Sequence, residues 1–150
     1  MGIFRCKVCE EFARVERPVR GMRCQACESL LDISGTPQPV DAASLSRAIA
    51  RSPVPLLVDF WVPWCGPCVW STSIVRSSAA RLAGQVVVLA VNTDESPQAG
   101  EEHAIYALPT LALFDRGEEV SRRVGFTPRA DLERWVYSGP CCSQESCTAS

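Results

Sequence analysis

The sequence predicts an α/β fold with a mixed central sheet and helices on both faces, preceded by a small cysteine-bearing unit. Three observations carry this reading. Two continuous apolar runs, Leu56–Val62 (broken only by Asp59) and Val86–Val91, are separated by a helix-length segment. Such runs are parallel strands buried on both faces. Thr110–Asp115 and Glu119–Val124 flank Arg116-Gly117, which marks an antiparallel hairpin at one sheet edge. Residues 1–33 are rich in Cys and Arg, poor in apolar side chains, and stand apart from this alternation.

Each element has a local reason. Asp41 is placed to cap a helix over 42–51, with Leu45, Ala48 and Ile49 on one face. A buried strand over Val54–Val62 leads into a helix over 66–83, whose apolar positions are Val69, Ile74, Val75, Ala79 and Leu82. Its surface is filled by Ser71, Thr72, Ser73, Ser77 and Ser78, which are weak helix formers. Pro97 suits the start of a short helix over 96–104. Thr127-Pro128 opens a last helix with Leu132, Trp135 and Val136 facing inward. The domain reading is therefore a ribbon at 1–33, a linker at 34–40, the α/β domain at 41–138 and a disordered cysteine-containing tail at 139–150.

Composition narrows the function. The chain has 150 residues and a net charge of −2, which argues against nucleic-acid or membrane partners held by charge. Met1-Gly2-Ile3-Phe4-Arg5-Cys6 has no apolar core of a signal peptide, and no run is long enough to span a bilayer. A cytoplasmic location is expected. Six of the nine cysteines fall into three Cys-x-x-Cys pairs, the spacing of metal sites and redox centres rather than of a disulfide scaffold.

The third pair, Trp64-Cys65-Gly66-Pro67-Cys68, lies where the first apolar strand meets a helix. Unpaired N–H groups and the positive end of the helix dipole favour a thiolate there. Pro67 falls in the first turn, where its missing N–H costs nothing.

The stretch Val58–Cys68, together with Leu108-Pro109-Thr110 and Val124-Gly125, resembles the thioredoxin family over about residues 40–138. With the N-terminal cysteines it is similar to the zinc-containing thioredoxin 2 type. The resemblance implies a thioredoxin fold and a protein-disulfide reductase. Cys65 would attack the substrate disulfide and Cys68, more buried, would resolve the mixed disulfide. Asp59, which interrupts an apolar strand, would take the Cys68 proton; the alternative is a buried acid satisfied by backbone donors. Pro109 resembles the family's cis-proline beside the disulfide, against the alternative of a trans proline opening a strand. Leu108 would pair with an extended substrate, Gly125 would leave it room, and Trp64, Gly66, Pro67 and Phe126 would border it.

Thioredoxin reductase would recharge the pair from NADPH, with no organic cofactor bound to this chain. Substrates would be exposed protein disulfides, and the chain is expected to act as a monomer. Three positions depart from the family: Ala90 where a lysine near the buried acid is common, Val69-Trp70 where a basic residue often follows the second cysteine, and Ser73 in place of a helix-kinking proline.

Cys6-x-x-Cys9 and Cys24-x-x-Cys27 are fourteen residues apart, suited to one structural, tetrahedral zinc on two knuckles. The alternative is two disulfides. Glu10 and Glu28 follow the knuckles where glycine would be expected, and Arg5, Lys7 and Arg23 are placed to offset thiolate charge. Zinc binding, about 10–16 kcal/mol apparent, can fold a unit with so small a core. Cys141, Cys142 and Cys147 read as incidental, and Thr148 breaks a prenylation box. His103, beside Glu101 and Glu102, is expected to be solvated. The rival functions are a zinc-binding redox sensor or holdase, and an oxidase or isomerase on the same fold, since direction follows the potential of the pair.

Overall fold

The computed structural model describes residues 2–141. In chain order its elements are β1 (Gly2–Arg5), β2 (Phe12–Val15), β3 (Gln38–Pro39), α1 (Ala42–Arg51), β4 (Leu56–Trp61), α2 (Gly66–Leu82), β5 (Val87–Asn92), α3 (Pro97–Glu102), β6 (Thr110–Asp115), β7 (Glu118–Val124) and α4 (Arg129–Cys141). A five-stranded sheet runs in the order β3-β5-β4-β6-β7. β5 is parallel to β3 and β4, while β6 and β7 are antiparallel additions.

Burial on both faces explains the unbroken apolar strands. On one face Val58, Phe60, Leu89 and Val91 pack with Leu45 and Ala48 of α1 and Ala99 of α3. On the other, Leu57, Val88, Leu111 and Leu113 pack with Val75 and Leu82 of α2 and Leu132 and Trp135 of α4. Asp41 caps α1 as expected, its carboxylate accepting the Ser44 N–H at 2.8 Å.

Several boundaries differ from expectation. The predicted linker contains β3, whose Gln38 and Pro39 pair with Leu89 and Ala90; proline is tolerated because this is an edge strand. The hairpin β1–β2 is invisible as a period-two pattern because β1 is buried at every position. β4 starts at Leu56, after a turn in which Ser52 Oγ donates to the Val54 carbonyl. α4 continues to Cys141, through residues that composition assigned to the tail. The rest of that tail, with Cys142 and Cys147, lies outside the described residues.

The N-terminal hairpin is fastened to the sheet at the end remote from the start of α2. The Ile3 N–H donates to the Gly84 carbonyl at 2.9 Å. Arg5 Nη1 donates to Gln38 Oε1 at 2.7 Å, and Gln38 Nε2 returns a bond to the Arg5 carbonyl at 2.9 Å. Gly35, at φ 81°, passes so close to α2 that a Cβ would lie 2.5 Å from the Ala79 carbonyl oxygen. No other residue fits there.

Candidate redox site and thiol cluster

Register brings three loops to one end of the sheet. Phe60 pairs with Thr110, and Thr110 with Val124. The segment after β4 (Trp64–Cys68), the approach to β6 (Leu108, Pro109) and the exit from β7 (Gly125, Phe126) therefore converge. Cys65 is the N-cap of α2 and its Sγ accepts the Cys68 N–H at 3.2 Å. The two cysteines are joined as a disulfide with a Cα–Cα distance of 5.2 Å. Cys68 is fully buried, Cys65 half-buried, and Gly66 and Pro67 are exposed. The sulfur nearer solvent is thus the one at the dipole's positive end, which can stabilise it as a thiolate.

The Leu108–Pro109 peptide is cis, which decides between the two readings of Pro109. The Pro109 carbonyl accepts the Gly125 N–H at 2.8 Å. Gly125 has φ 91° and nothing within 4 Å of the place a Cβ would occupy, so the backbone here is open to a second chain. Trp64 is 72% exposed, and its Nε1 donates to Asp94 Oδ2 at 2.7 Å. Asp94 is held in turn by its N–H, which donates to Asn92 Oδ1 at 2.9 Å. Sequence reading did not single out Asp94; the only signal was an Asn two residues before an Asp at a strand end.

Asp59 sits in the middle of β4 at 1% exposure, and its Oδ1 has no hydrogen-bond partner. That is not an acid satisfied by backbone donors. Desolvation pushes its carboxyl from an ordinary 3.8 up to about 7, against the lowering effect of the Thr72 hydroxyl on α2. Its register neighbours are Ala90 and Leu111, neither of which offers a cation.

The thioredoxin family model matches residues 36–138. The chain belongs to the thioredoxin family. It is 40% identical to thioredoxin from Synechocystis sp. over 100 residues, 67% of this chain and 92% of that protein. It is 39% identical to thioredoxin 1 from Nostoc sp. over 95 residues, 63% of this chain and 89% of that protein. Among solved structures, chloroplastic thioredoxin z superposes with a TM-score of 0.65 at 29% identity, covering 71% of this chain and 96% of that one. The fold is the thioredoxin fold, and the chain is a protein-disulfide reductase acting through a thiol–disulfide pair.

The whole N-terminal unit of this thioredoxin, with its four cysteines, precedes the matched residues. There the Sγ atoms of Cys6, Cys9, Cys24 and Cys27 all lie within 4.8 Å of one another. Cys6 and Cys27 sulfurs are 3.7 Å apart, and Cys9 and Cys24 sulfurs 3.6 Å. A disulfide needs about 2.05 Å, so these are four free thiols. A tetrahedral ion with Zn–S bonds of about 2.3 Å needs sulfurs about 3.8 Å apart, so the donor set fits a metal. Without a metal the four thiols share their protons unevenly. Ser29 hydrogen bonds, side chain first and then backbone, pull the Cys27 thiol down to about 6. Cys9, against the lowering Glu11 backbone bond, is pushed up to about 12 by burial and the neighbouring sulfurs, so a metal must displace the Cys9 proton. Each knuckle closes on a backbone bond, Glu10 N–H to the Cys6 carbonyl and Glu28 N–H to the Cys24 carbonyl. Glu10 and Glu28 accept φ of 67° and 65° to do so.

The three cations near the knuckles each have a partner: Arg5 pairs with Glu10, Lys7 with Asp32, and Arg23 donates to the Glu28 carbonyl. One expectation is corrected. His103 is only partly solvated. Its ring lies between Phe60 and Phe114, with centroids at 5.7 and 5.4 Å, and its Nε2 is buried without a partner. Burial accordingly lowers its pKa. Among the described residues no helix is long and apolar enough to cross a membrane.

Proposed function

We propose that this thioredoxin is a zinc-containing, thioredoxin 2-type reductase of protein disulfides in the cytoplasm, recharged by thioredoxin reductase and acting as a monomer. In this reading residues 1–33 form a zinc ribbon, 34–40 join it to the thioredoxin domain at 41–138, and 139–150 are a tail.

Cys65 is the attacking sulfur. Its thiolate adds to one sulfur of the substrate disulfide, which releases the other as a thiolate and leaves a mixed disulfide. Asp59 accepts the Cys68 proton, because a carboxyl near 7 exchanges protons at working pH. Cys68 then attacks Cys65 Sγ, the second substrate sulfur leaves, and two electrons have passed to the substrate. Pro109 shapes the groove beside the pair, and Leu108 and Gly125 receive the substrate backbone, bordered by Trp64, Gly66 and Pro67. One zinc held by Cys6, Cys9, Cys24 and Cys27 supplies folding energy to the ribbon; no organic cofactor is needed.

The observation that carries the reading is asymmetry. One sulfur is accessible at a helix N-terminus, and the other is fully buried on the helix whose Thr72 borders a protonatable carboxyl. The test is NADPH-coupled reduction of insulin with thioredoxin reductase, beside a dithiothreitol-driven control. Turnover in the wild type with none in Cys65→Ser supports the reading. Failure of the folded, zinc-loaded wild type in both assays would overturn it in favour of a zinc-binding redox sensor.

A further inference from the structure

The three segments that meet at the disulfide share a property the mechanism does not require. Phe60–Val75, sixteen residues, contains no Asp, Glu, Lys, Arg or His. Neither does Ala104–Phe114 or Val124–Pro128. Three of the charges at its border are engaged elsewhere, and exposed Arg76 marks where the uncharged stretch of α2 ends. Asp94 is bonded to the Trp64 indole at 2.7 Å, and the Arg123 guanidinium lies over the Trp135 ring at 5.6 Å. Arg129 reaches Ser77, two turns further along α2.

Within this uncharged face, α2 carries two large apolar side chains that no packing accounts for. Val69 is 58% exposed and Trp70 69% exposed. Cys68, Ser71 and Val75 form the buried side of the helix. Trp70, two residues past Cys68, is rotated by about 200° from it and points outward. It shares the outer stripe with Gly66, four residues earlier, where a Cβ would meet nothing. Exposed aromatic surface of this kind is stabilised only when something covers it.

We propose that Val69 and Trp70 form a substrate-docking extension along α2, selecting disulfides flanked by aromatic or aliphatic residues over disulfides flanked by charge. The occupant follows from the reaction, and the proposal rests on reading Cys65 as the attacking sulfur. The substrate sulfur must come within bonding distance of Cys65 Sγ, so the chain on either side of it must lie across the neighbouring surface. Trp70 lies five residues from Cys65, about 7.5 Å along the helix axis. An extended chain covers that distance in two to three residues at about 3.3 Å each. The residues read by Trp70 are therefore those two and three positions from the attacked cysteine. Charge there would lose water against an uncharged surface without gaining a partner.

The test uses the full zinc-loaded chain, reduced beforehand, in single-turnover reduction of two peptides with the same disulfide. One carries Leu and Phe two and three residues from each cysteine; the other carries Glu at both places. The wild type is expected to reduce the apolar peptide about tenfold faster, with little dependence on salt. Trp70→Ser should erase most of that ratio, and Trp70→Lys with Val69→Lys should invert it. Arg76→Ser, further along α2 and outside the proposed surface, should leave it in place. Equal wild-type rates for the two peptides, or a ratio that survives Trp70→Ser, would overturn the proposal. A wild type that cannot reduce even the small aromatic disulfide dithiobis(nitrobenzoic acid) would overturn the Cys65 reading and this one with it.

Discussion

At the residue scale Asp59, buried, and His103, half-buried, affect stability with opposite signs. Asp59 binds its proton more tightly folded than unfolded, with the folded value near 7 against an ordinary 3.8. Its contribution is therefore fully favourable below about pH 4 and is lost as pH rises through 7. The rise corresponds to about 4 kcal/mol. Asp59→Asn should be more stable than the wild type at pH 8 in denaturant titration, with the difference growing between pH 4 and 7 and flat above. A constant difference across that range would mean the carboxyl is not desolvated. The same variant should resolve mixed disulfides slowly, measured by persistence of the intermediate after rapid mixing. His103 works the other way. Its folded pKa is lowered by burial between Phe60 and Phe114, so the unfolded chain takes up the proton first and stability falls as pH drops below about 6.5. His103→Phe should remove that acid-side loss without changing the alkaline side.

At the element scale the informative joint is between the knuckle and α1. Glu10 follows the second knuckle cysteine in a left-handed conformation, and its carboxylate meets three groups. Arg5 Nη2 lies at 3.2 Å, Arg47 Nε and Nη2 donate at 3.1 and 2.9 Å, and Ser44 Oγ is at 3.4 Å. Arg5 is 4% exposed and leaves its Nε unpaired, so its charge depends on Glu10 and on Gln38 of β3. Glu10→Gln strands that cation and should cost about 1–3 kcal/mol. Hydrogen exchange at the Ile3 amide, which donates to Gly84, should speed up by a factor in keeping with that loss. Exchange unchanged at Ile3 would show that the ribbon is held by Phe4, Val15 and Leu31 alone. From the sequence Glu10 was legible only as an ill-suited residue where glycine was expected. Its use requires Arg5, Gln38 and Arg47 to arrive from three other elements, and no spacing rule links them.

At the scale of the whole molecule, two units with separate hydrophobic clusters share one chain. The α/β body buries continuous strands under helices on both faces. The N-terminal unit has a core in which Cys6 and Cys24 are themselves buried members. Removing metal with a strong chelator under reducing conditions should abolish exchange protection at β1 and β2 while β4, β5 and β6 keep theirs. Metal analysis of the reduced protein should give one zinc per chain. A ribbon that keeps its protection without metal would make the cluster incidental to folding.

The sequence by itself determined the redox pair and the order of elements from α1 to α4. A Cys-x-x-Cys at the start of a helix, an acid inside an apolar strand and unbroken strands separated by helices are local patterns, and local patterns survive projection onto one dimension. Tertiary structure alone decided the state of each group. The Asp59 carboxyl is pushed up to about 7 by burial inside the sheet, with Ala90 and Leu111 as its strand neighbours. His103 is lodged between two rings because β4 and β6 are neighbours in the sheet. Asp94 orients Trp64 across a gap of thirty residues. Desolvation and long-range pairing depend on what surrounds a residue in space, and only the folded chain specifies that.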